Sequence, residues 1–566
     1  MAWTTPTNPG VTAATAAHLN VPLGGSGNTA FLEDNPYCEA YNSAAINISQ
    51  NTATRLTFDS ETADTDGMHS TSTNTGRITV GETGVFMFSA HVSWNATLTG
   101  DTMNAVKFRK NGDSTDEYGE QHCRIDTIGT PHVTANCIVN MADGDYMEVW
   151  VWNSSSVTTS AVSFASGYSP VFTAVRLAGQ IQNNRPVDEW PPVKTYVAGD
   201  LATVTDRNIC NDRLNYLRDL PAAGGHMALA SASSGTRSVT QNSWQSIACD
   251  TEDFDNVNMM DGGIVTIPRD GLYAICVNAT WEDMEGTAAD AFVSVGIRKT
   301  LSGELTSHIL SEQTLQRANN GADAGGCTHV NMCWLGVGDK VEGVMHAHGH
   351  DQNSSRLRNV APWPSFSVVA VRSGELMTSD YHTWSSPKTW GATELVDAAD
   401  LNTYERNNTR YIMEVPATHQ SRRLTQATLI QMGAHATWEA IPFNESEISP
   451  TDFDTGSLHS AVSNSSTITF PETGFFLVMG TVEWGVTCET HSRHHLAIRE
   501  GGATYRAVMT RLQFGANQSP WIAMSVALCR NFTSGDYVEL MVLGQNSGSV
   551  QDWVVGSPEF AAIRVG

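Results

Sequence analysis

Ile78-Thr79-Val80-Gly81-Glu82-Thr83-Gly84-Val85-Phe86 is written again as Val265-Thr266-Ile267-Pro268-Arg269-Asp270-Gly271-Leu272-Tyr273, and a third time as Ile468-Thr469-Phe470-Pro471-Glu472-Thr473-Gly474-Phe475-Phe476. A tryptophan stands ten residues after the last glycine of each copy: Trp94, Trp281 and Trp484. An ordered repeat on this scale sets the architecture before any residue is given a chemical role. One domain type is used three times, so function lies in the array or in what differs between copies.

Further landmarks keep the same order. About sixty residues on, a Gly-Asp step opens an apolar run: Gly144-Asp145-Tyr146-Met147, Gly338-Asp339-Lys340-Val341 and Gly535-Asp536-Tyr537-Val538. Each copy closes on a strand ending in arginine: Phe172 to Arg176, Phe366 to Arg372, and Phe560 to Arg564. The spacing between Gly84, Gly271 and Gly474 is 187 and 203 residues, large enough for each unit to bury its own core. The expected division is an N-terminal anchor segment 1–26, domains at 27–179, 227–374 and 427–566, and linkers at 180–226 and 375–426.

Inside each repeat the texture is all-β. Phe86-Met87-Phe88-Ser89-Ala90-His91-Val92-Ser93-Trp94 and Leu477-Val478-Met479-Gly480-Thr481-Val482-Glu483-Trp484 have strand length and composition. Runs such as Asn153-Ser154-Ser155-Ser156 read as turns. Many short strands with polar turns predict a sandwich, here three tandem jelly rolls. The linkers share a Trp/Pro lead-in, Trp190-Pro191-Pro192 and Trp384-Ser385-Ser386-Pro387, with a shortened version at Trp3-Thr4-Thr5-Pro6. Each continues into a loosely helical apolar set, including Leu201, Val204, Ile209, Leu214 and Leu217 in the first and Leu395, Ala398 and Leu401 in the second. A narrow stripe on a short helix has to bury against something to be stable.

The net charge is −27, from 59 acids against 32 bases. This argues against a nucleic-acid partner, whose phosphates need a basic surface, and against an anionic membrane surface. Only six bases are lysine, which fits either a high-GC genome or an acidic surface kept hydrated in a salty environment. No stretch approaches eighteen consecutive apolar residues, so no membrane insertion is expected. The start, Met-Ala-Trp-Thr-Thr-Pro, has neither a basic nor an apolar region of signal-peptide type. Ten cysteines lie at positions that do not recur between copies and form no Cys-x-x-Cys pair. Most are expected to be free and buried, as suits synthesis in a reducing cytoplasm.

The repeated phrase, the downstream Gly-Asp turn and the closing apolar strand together resemble the tumour-necrosis-factor-like jelly roll, as in the globular head of complement. Gly81 departs from that pattern by standing where the other copies have proline, and the second copy's last strand is longer. The resemblance implies threefold association through a flat apolar face. Two arrangements follow: a homotrimer of three stacked beads with helical necks, the favoured expectation, or three domains of one chain folded around a local pseudo-threefold. The Trp-x-x-Pro and Ala-x-x-Leu-Asn lead-in resembles N-terminal segments of tailed-phage virion proteins. That implies a fibre, spike or head-decoration protein on the virion surface, made in the host cytoplasm. It would be anchored on a capsid or tail protein through its N-terminal segment, and a host surface glycan or protein is a further partner.

His346-Ala347-His348-Gly349-His350 is the best metal candidate, because alternate residues of a strand share a face and imidazole binds transition metals. On a trimer axis, three such strands would close a histidine cage. The bland alternative is a polar loop end, and the other copies have no equivalent. His491-Ser492-Arg493-His494-His495 reads as a solvated loop. Asp143 with Asp145, and Asp397 with Asp400, are explained better by turn chemistry than by calcium. The three tryptophans are expected to pack the core rather than stack on sugars. No Gly-x-Ser-x-Gly elbow, His-Glu-x-x-His or phosphate-binding loop is present. The expectation is a non-enzymatic structural protein without a cofactor. A carbohydrate-binding or receptor-binding module is the alternative, and a glycan-cleaving enzyme comes last.

Overall fold

The computed structural model describes residues 36–94, 102–125, 132–154, 157–158, 170–179, 222–226, 237–240, 242–255, 257–284, 292–303, 307–316, 325–348, 355–357, 364–373, 417–421, 430–431, 437–443, 453–455, 458–460, 463–485, 493–512, 522–545, 553–554 and 558–565. Among these there is no helix. Both linker helices expected from the sequence, and the segment 1–26, lie outside the described residues.

Nine principal strands recur in each repeat. The first has β1 (Tyr37–Tyr41), β2 (Ser60–Asp64), β3 (Arg77–Thr79), β4 (Gly84–Ser93), β5 (Thr102–Lys110), β6 (Glu117–Ile125), β7 (His132–Met141), β8 (Tyr146–Asn153) and β9 (Val171–Gly179). The second has β10 (Ala222–His226), β11 (Thr251–Asp255), β12 (Ile264–Thr266), β13 (Gly271–Met284), β14 (Phe292–Thr300), β15 (Ser307–Gln316), β16 (Gly325–Leu335), β17 (Lys340–His348) and β18 (Ser365–Ser373). The third has β19 (Ala417–Ser421), β20 (Phe453–Thr455), β21 (Thr467–Thr469), β22 (Gly474–Gly485), β23 (Arg493–Glu500), β24 (Thr504–Leu512), β25 (Ile522–Phe532), β26 (Tyr537–Gln545) and β27 (Glu559–Arg564).

Each repeat is a two-sheet antiparallel sandwich. One sheet runs β2-β1-β9-β4-β7, the other β3-β8-β5-β6, and the same orders hold nine and eighteen strands on. Five of the seven pairings in each repeat join strands that are not consecutive, which is the jelly-roll connection expected from the sequence.

The repeated phrase has a local cause. Val80 N–H donates to the Asp145 carbonyl, and Gly144 N–H returns a bond to the Val80 carbonyl. Ile267 with Asp339 and Gly338, and Phe470 with Asp536 and Gly535, repeat the exchange at 2.8–2.9 Å. The aspartate caps its own turn, its Oδ2 accepting from Ala142, Gly336 or Thr533 N–H. The residue before the last glycine of the phrase reaches across to the same turn. Thr83, Asp270 and Thr473 accept from the amides of Asp143, Val337 and Ser534. The turn glycine sits at φ +84°, +80° and +92° in the three copies, a region that side chains disfavour. Phrase and Gly-Asp step are therefore two halves of one clamp between the sheets.

β4 is buried along all ten of its residues. A sandwich strand facing solvent on one side should alternate instead. One face, Phe86, Phe88, Ala90 and Val92, fills the domain's own core together with Trp94. The other face carries Val85 and Met87, which join Ile138, Val175 and Leu177 in a cluster continuing into both other domains, through Cys276 and Val369 of the second and Leu477, Met479, Ala527 and Ile563 of the third. The strands that meet show how: β6 lies against β16, β15 against β25, and β24 against β7, while β7, β16 and β25 also touch one another. The edge of domain one packs on the face of domain two, two on three, and three back on one. This cycle is the second arrangement weighed from the sequence, a pseudo-threefold within one chain. The stacked homotrimer would need these same faces for other chains, and here the chain's own domains occupy them.

The domain limits also move. β10 pairs with β18, and β19 with β27, so the opening strands of domains two and three lie inside the stretches assigned to linkers. Ala222-Ala223-Gly224-Gly225-His226 lacks β-branched residues and carries no strand signal of its own. A side chain at Gly224 would meet the Phe254 ring at 2.6 Å, so small residues are needed there.

Candidate functional site

The three seams between domains are the most elaborate side-chain arrangement among the described residues. Their shared frame is visible in two of them. Thr134 Oγ1 on β7 donates to the Val508 carbonyl of β24 at 3.0 Å. Thr328 Oγ1 on β16 donates to the Glu120 carbonyl of β6 at 3.3 Å. Strand register makes these two bonds equivalent. Around that frame each seam differs. Between domains one and two, Gln121 Oε1 accepts from Thr328 N–H, and Ser367 Oγ donates to the Ile138 carbonyl. Between two and three, a His329 ring nitrogen meets Ser525 Oγ at 3.1 Å, and Asn331 donates to Glu559 at 2.8 Å.

The seam between domains three and one is the most polar. Arg530 donates to Glu39 at 2.6 Å, both side chains nearly buried, and Tyr37 O–H donates to the Cys529 carbonyl. Farther along, Ser93 Oγ lies 2.7 Å from His132 Nδ1 and 3.2 Å from His91 Nε2. His91 Nδ1 is 3.3 Å from Thr134 Oγ1. The His91 and His132 rings stack at 6.1 Å, and His132 meets His495 of domain three edge-on at 6.4 Å. Trp438 packs over His495. Burial pushes the His91 imidazole down to about 4. It also holds His132 well below the usual histidine range, with His91 and His495 adding to the effect. Burial likewise takes His329 down to about 3. These rings are neutral at ordinary pH.

His494 and His495 were expected in a solvated loop. Both are instead buried on β23, where His494 packs against Trp484. The reason is length: the apolar signal begins only at Leu496, while the strand's pairing with β24 and β26 runs back to Arg493. His91, His132 and His329 drew no attention in the sequence. Each stands in a strand that also holds other polar residues, such as Ser93, Asn136 and Asn331, so the ring gives no signal of its own.

Of the three metal candidates, His346 alone has its side chain among the described residues. His346, on β17, packs between the Trp244 and Phe292 rings at 5.1 and 5.7 Å. His348 is paired with Phe292 along the backbone, and His350 lies outside the described residues. β17 belongs to the sheet that does not contain β16. Among the described residues no three metal-ligating side chains converge. Asp145 is held by Asn111, Lys110 and the Ala142 amide, which is turn chemistry as expected. Trp94, Trp281 and Trp484 are fully buried core residues. The eight cysteines described are buried and form no disulfide with one another.

Among the described residues, one surface feature is found in domain two alone. Ile264, Leu301 and Val337 are its exposed large apolar residues, Val337 at 59%. All three lie at the Gly-Asp end, around Lys340. Register places Arg77 and Asp143 of domain one, and Thr467 and Ser534 of domain three, where Ile264 and Val337 stand.

No family model matches the chain, and no curated protein matches it. Solved structures similar to part of it include a tumour necrosis factor, Eiger from S. frugiperda (14% identity, 28% of this chain and 98% of that one, TM-score 0.22). Another is the globular domain of zebrafish complement 1qA protein (13% identity, 26% of this chain and 99% of that one, TM-score 0.19). Each spans about one domain here.

Proposed function

We propose that the protein is a non-enzymatic virion surface protein, a compact head of three jelly rolls that projects from the particle as fibre tip, spike or capsid decoration. The observation that carries this reading is the closed cycle of seams. It consumes the apolar inner-sheet faces internally and leaves the outer sheets, the loops and the two ends to meet partners. The acidic surface, with net charge −27, suits a solvent-projecting part. The Trp/Pro lead-in at residues 3–20, with its likeness to phage virion segments, supplies the attachment. The test is deletion of residues 1–26. The truncated chain remains a soluble, folded head that no longer joins particles. Truncated chain on purified particles at the full-length level overturns the anchoring.

A second reading, attachment to a host surface, is favoured by the end of domain two. Aliphatic side chains exposed together suit a protein partner, whereas sugars are usually met by exposed aromatic rings. Replacing Ile264 with Thr and Val337 with Ser, the residues of domain three, abolishes host-cell binding on this reading and leaves the fold intact. Unchanged binding removes domain two from the role.

A further inference from the structure

Two of the three seams join domains that are consecutive in the chain. The third joins the last domain to the first, so no linker between consecutive domains ties it. That seam also gathers three buried histidines: His91 and His132 from domain one and His495 from domain three, with Ser93 bridging the first two. We propose that the seam between domains three and one is an acid-released latch, in which protons taken up by this cluster open the ring there while the other seams hold.

The geometry supports this in three ways. First, the rings sit across the contact, His132 against His495 and His91 beside the Thr134–Val508 bond, so charge placed on them acts on the seam itself. Second, two imidazoles 6.1 Å apart and a third at 6.4 Å repel one another once protonated in a buried setting. Third, among the described residues the nearby charged groups are engaged with one another. From β24 the facing group is the Val508 carbonyl, while Arg506 is engaged with Glu500. On β23, His494 packs against Trp484. On β25 the residues at this level are Ala523 and Ser525, and on β6 Glu120 pairs with His122. The charged pair of the seam, Glu39 with Arg530, lies toward its other end, beside Tyr37. The seam between domains two and three has one such ring, His329, and a linker across it.

The sign follows from linkage. His91 is held at about 4 when closed and returns to about 6.5 when solvated. The open form therefore binds protons first. Through His91, closure is fully favoured above about 6.5 and weakens by up to about tenfold per pH unit down to about 4, and the lowered His132 acts in the same direction.

The experiment follows the full-length protein from pH 7.5 to 4 by small-angle scattering and by hydrogen exchange read seam by seam. The expected result is a rise in radius of gyration below pH 6.5. Protection should be lost in β4, β7 and β24 before β6, β15 and β16. The variant carrying His91→Gln and His132→Asn stays closed to the pH at which the whole protein unfolds. If the variant does not fold, the wild-type exchange pattern decides alone. Simultaneous loss of protection in all three seams, no opening above pH 4, or opening of the variant at the wild-type pH each overturns the latch.

Discussion

A methyl group added at Gly535 meets nothing within 4 Å, whereas at Gly84 it would lie 2.7 Å from the Ala178 carbonyl oxygen. The two glycines of the repeated clamp are thus required for different reasons. Gly535→Ala is expected to cost about 1–2 kcal/mol through its φ of +92° alone. Gly84→Ala forces β9 away from β4, at about 1–3 kcal/mol from overpacking, and in addition lowers exchange protection along that pair. Denaturant unfolding with hydrogen exchange separates the two. Glu483, on β22, has its carboxyl raised to about 7 by burial. A raised carboxyl stabilises the fold while protonated, and that contribution is lost as pH rises from about 4.5 through 7. Glu483→Gln should therefore stabilise the protein by roughly 2 kcal/mol at pH 8 and by almost nothing at pH 4. Equal stabilisation at both pH values would refute the assignment. Arg530→Ala leaves Glu39 buried without its charge partner, at about 3–5 kcal/mol, read as loss of protection in β1 and β25.

Among the elements, those with a local code were legible. The Gly-Asp turn, its aspartate cap and the opening phrase form a closed set of hydrogen bonds, so their residues recur and are readable one copy at a time. β10 and β19 carry no such code. They are made strands by the edges of β18 and β27, whose sequences lie about 140 residues away. A fragment of domain two beginning at residue 227 leaves the edge of β18 open. It is expected to be insoluble, or to lose cooperative unfolding, relative to one beginning at 217. Expression of the pair with circular dichroism melting checks this. The histidine cluster was illegible for the same reason in stronger form. Thr134 and Val508 are 374 positions apart, and no pattern within one repeat marks a residue that a different repeat will cover. What the sequence does show is that the first halves of β4 and β22 are apolar on both faces, Val85 and Met87 beside Phe86 and Phe88, and Leu477 and Met479 beside Phe476 and Val478, which in an antiparallel sandwich already implies a neighbour.

Over the whole molecule, the shared cluster that takes residues from all three domains makes them one cooperative body. The chain is expected to unfold in a single calorimetric transition, and three separated transitions would show beads on a string. As a lone 61.1 kDa compact particle of 566 residues it should scatter with a radius of gyration of about 25 Å, well below that of three stacked beads. Native mass at this value, without cross-linking to higher species, checks the same point. The cycle of edge on face also has a bearing on survival outside a cell. Three separate subunits joined by such contacts fall apart by mass action when diluted. Domains tied in one chain meet at an effective concentration of about millimolar whatever the concentration of molecules. A single copy released into open water therefore keeps all three seams.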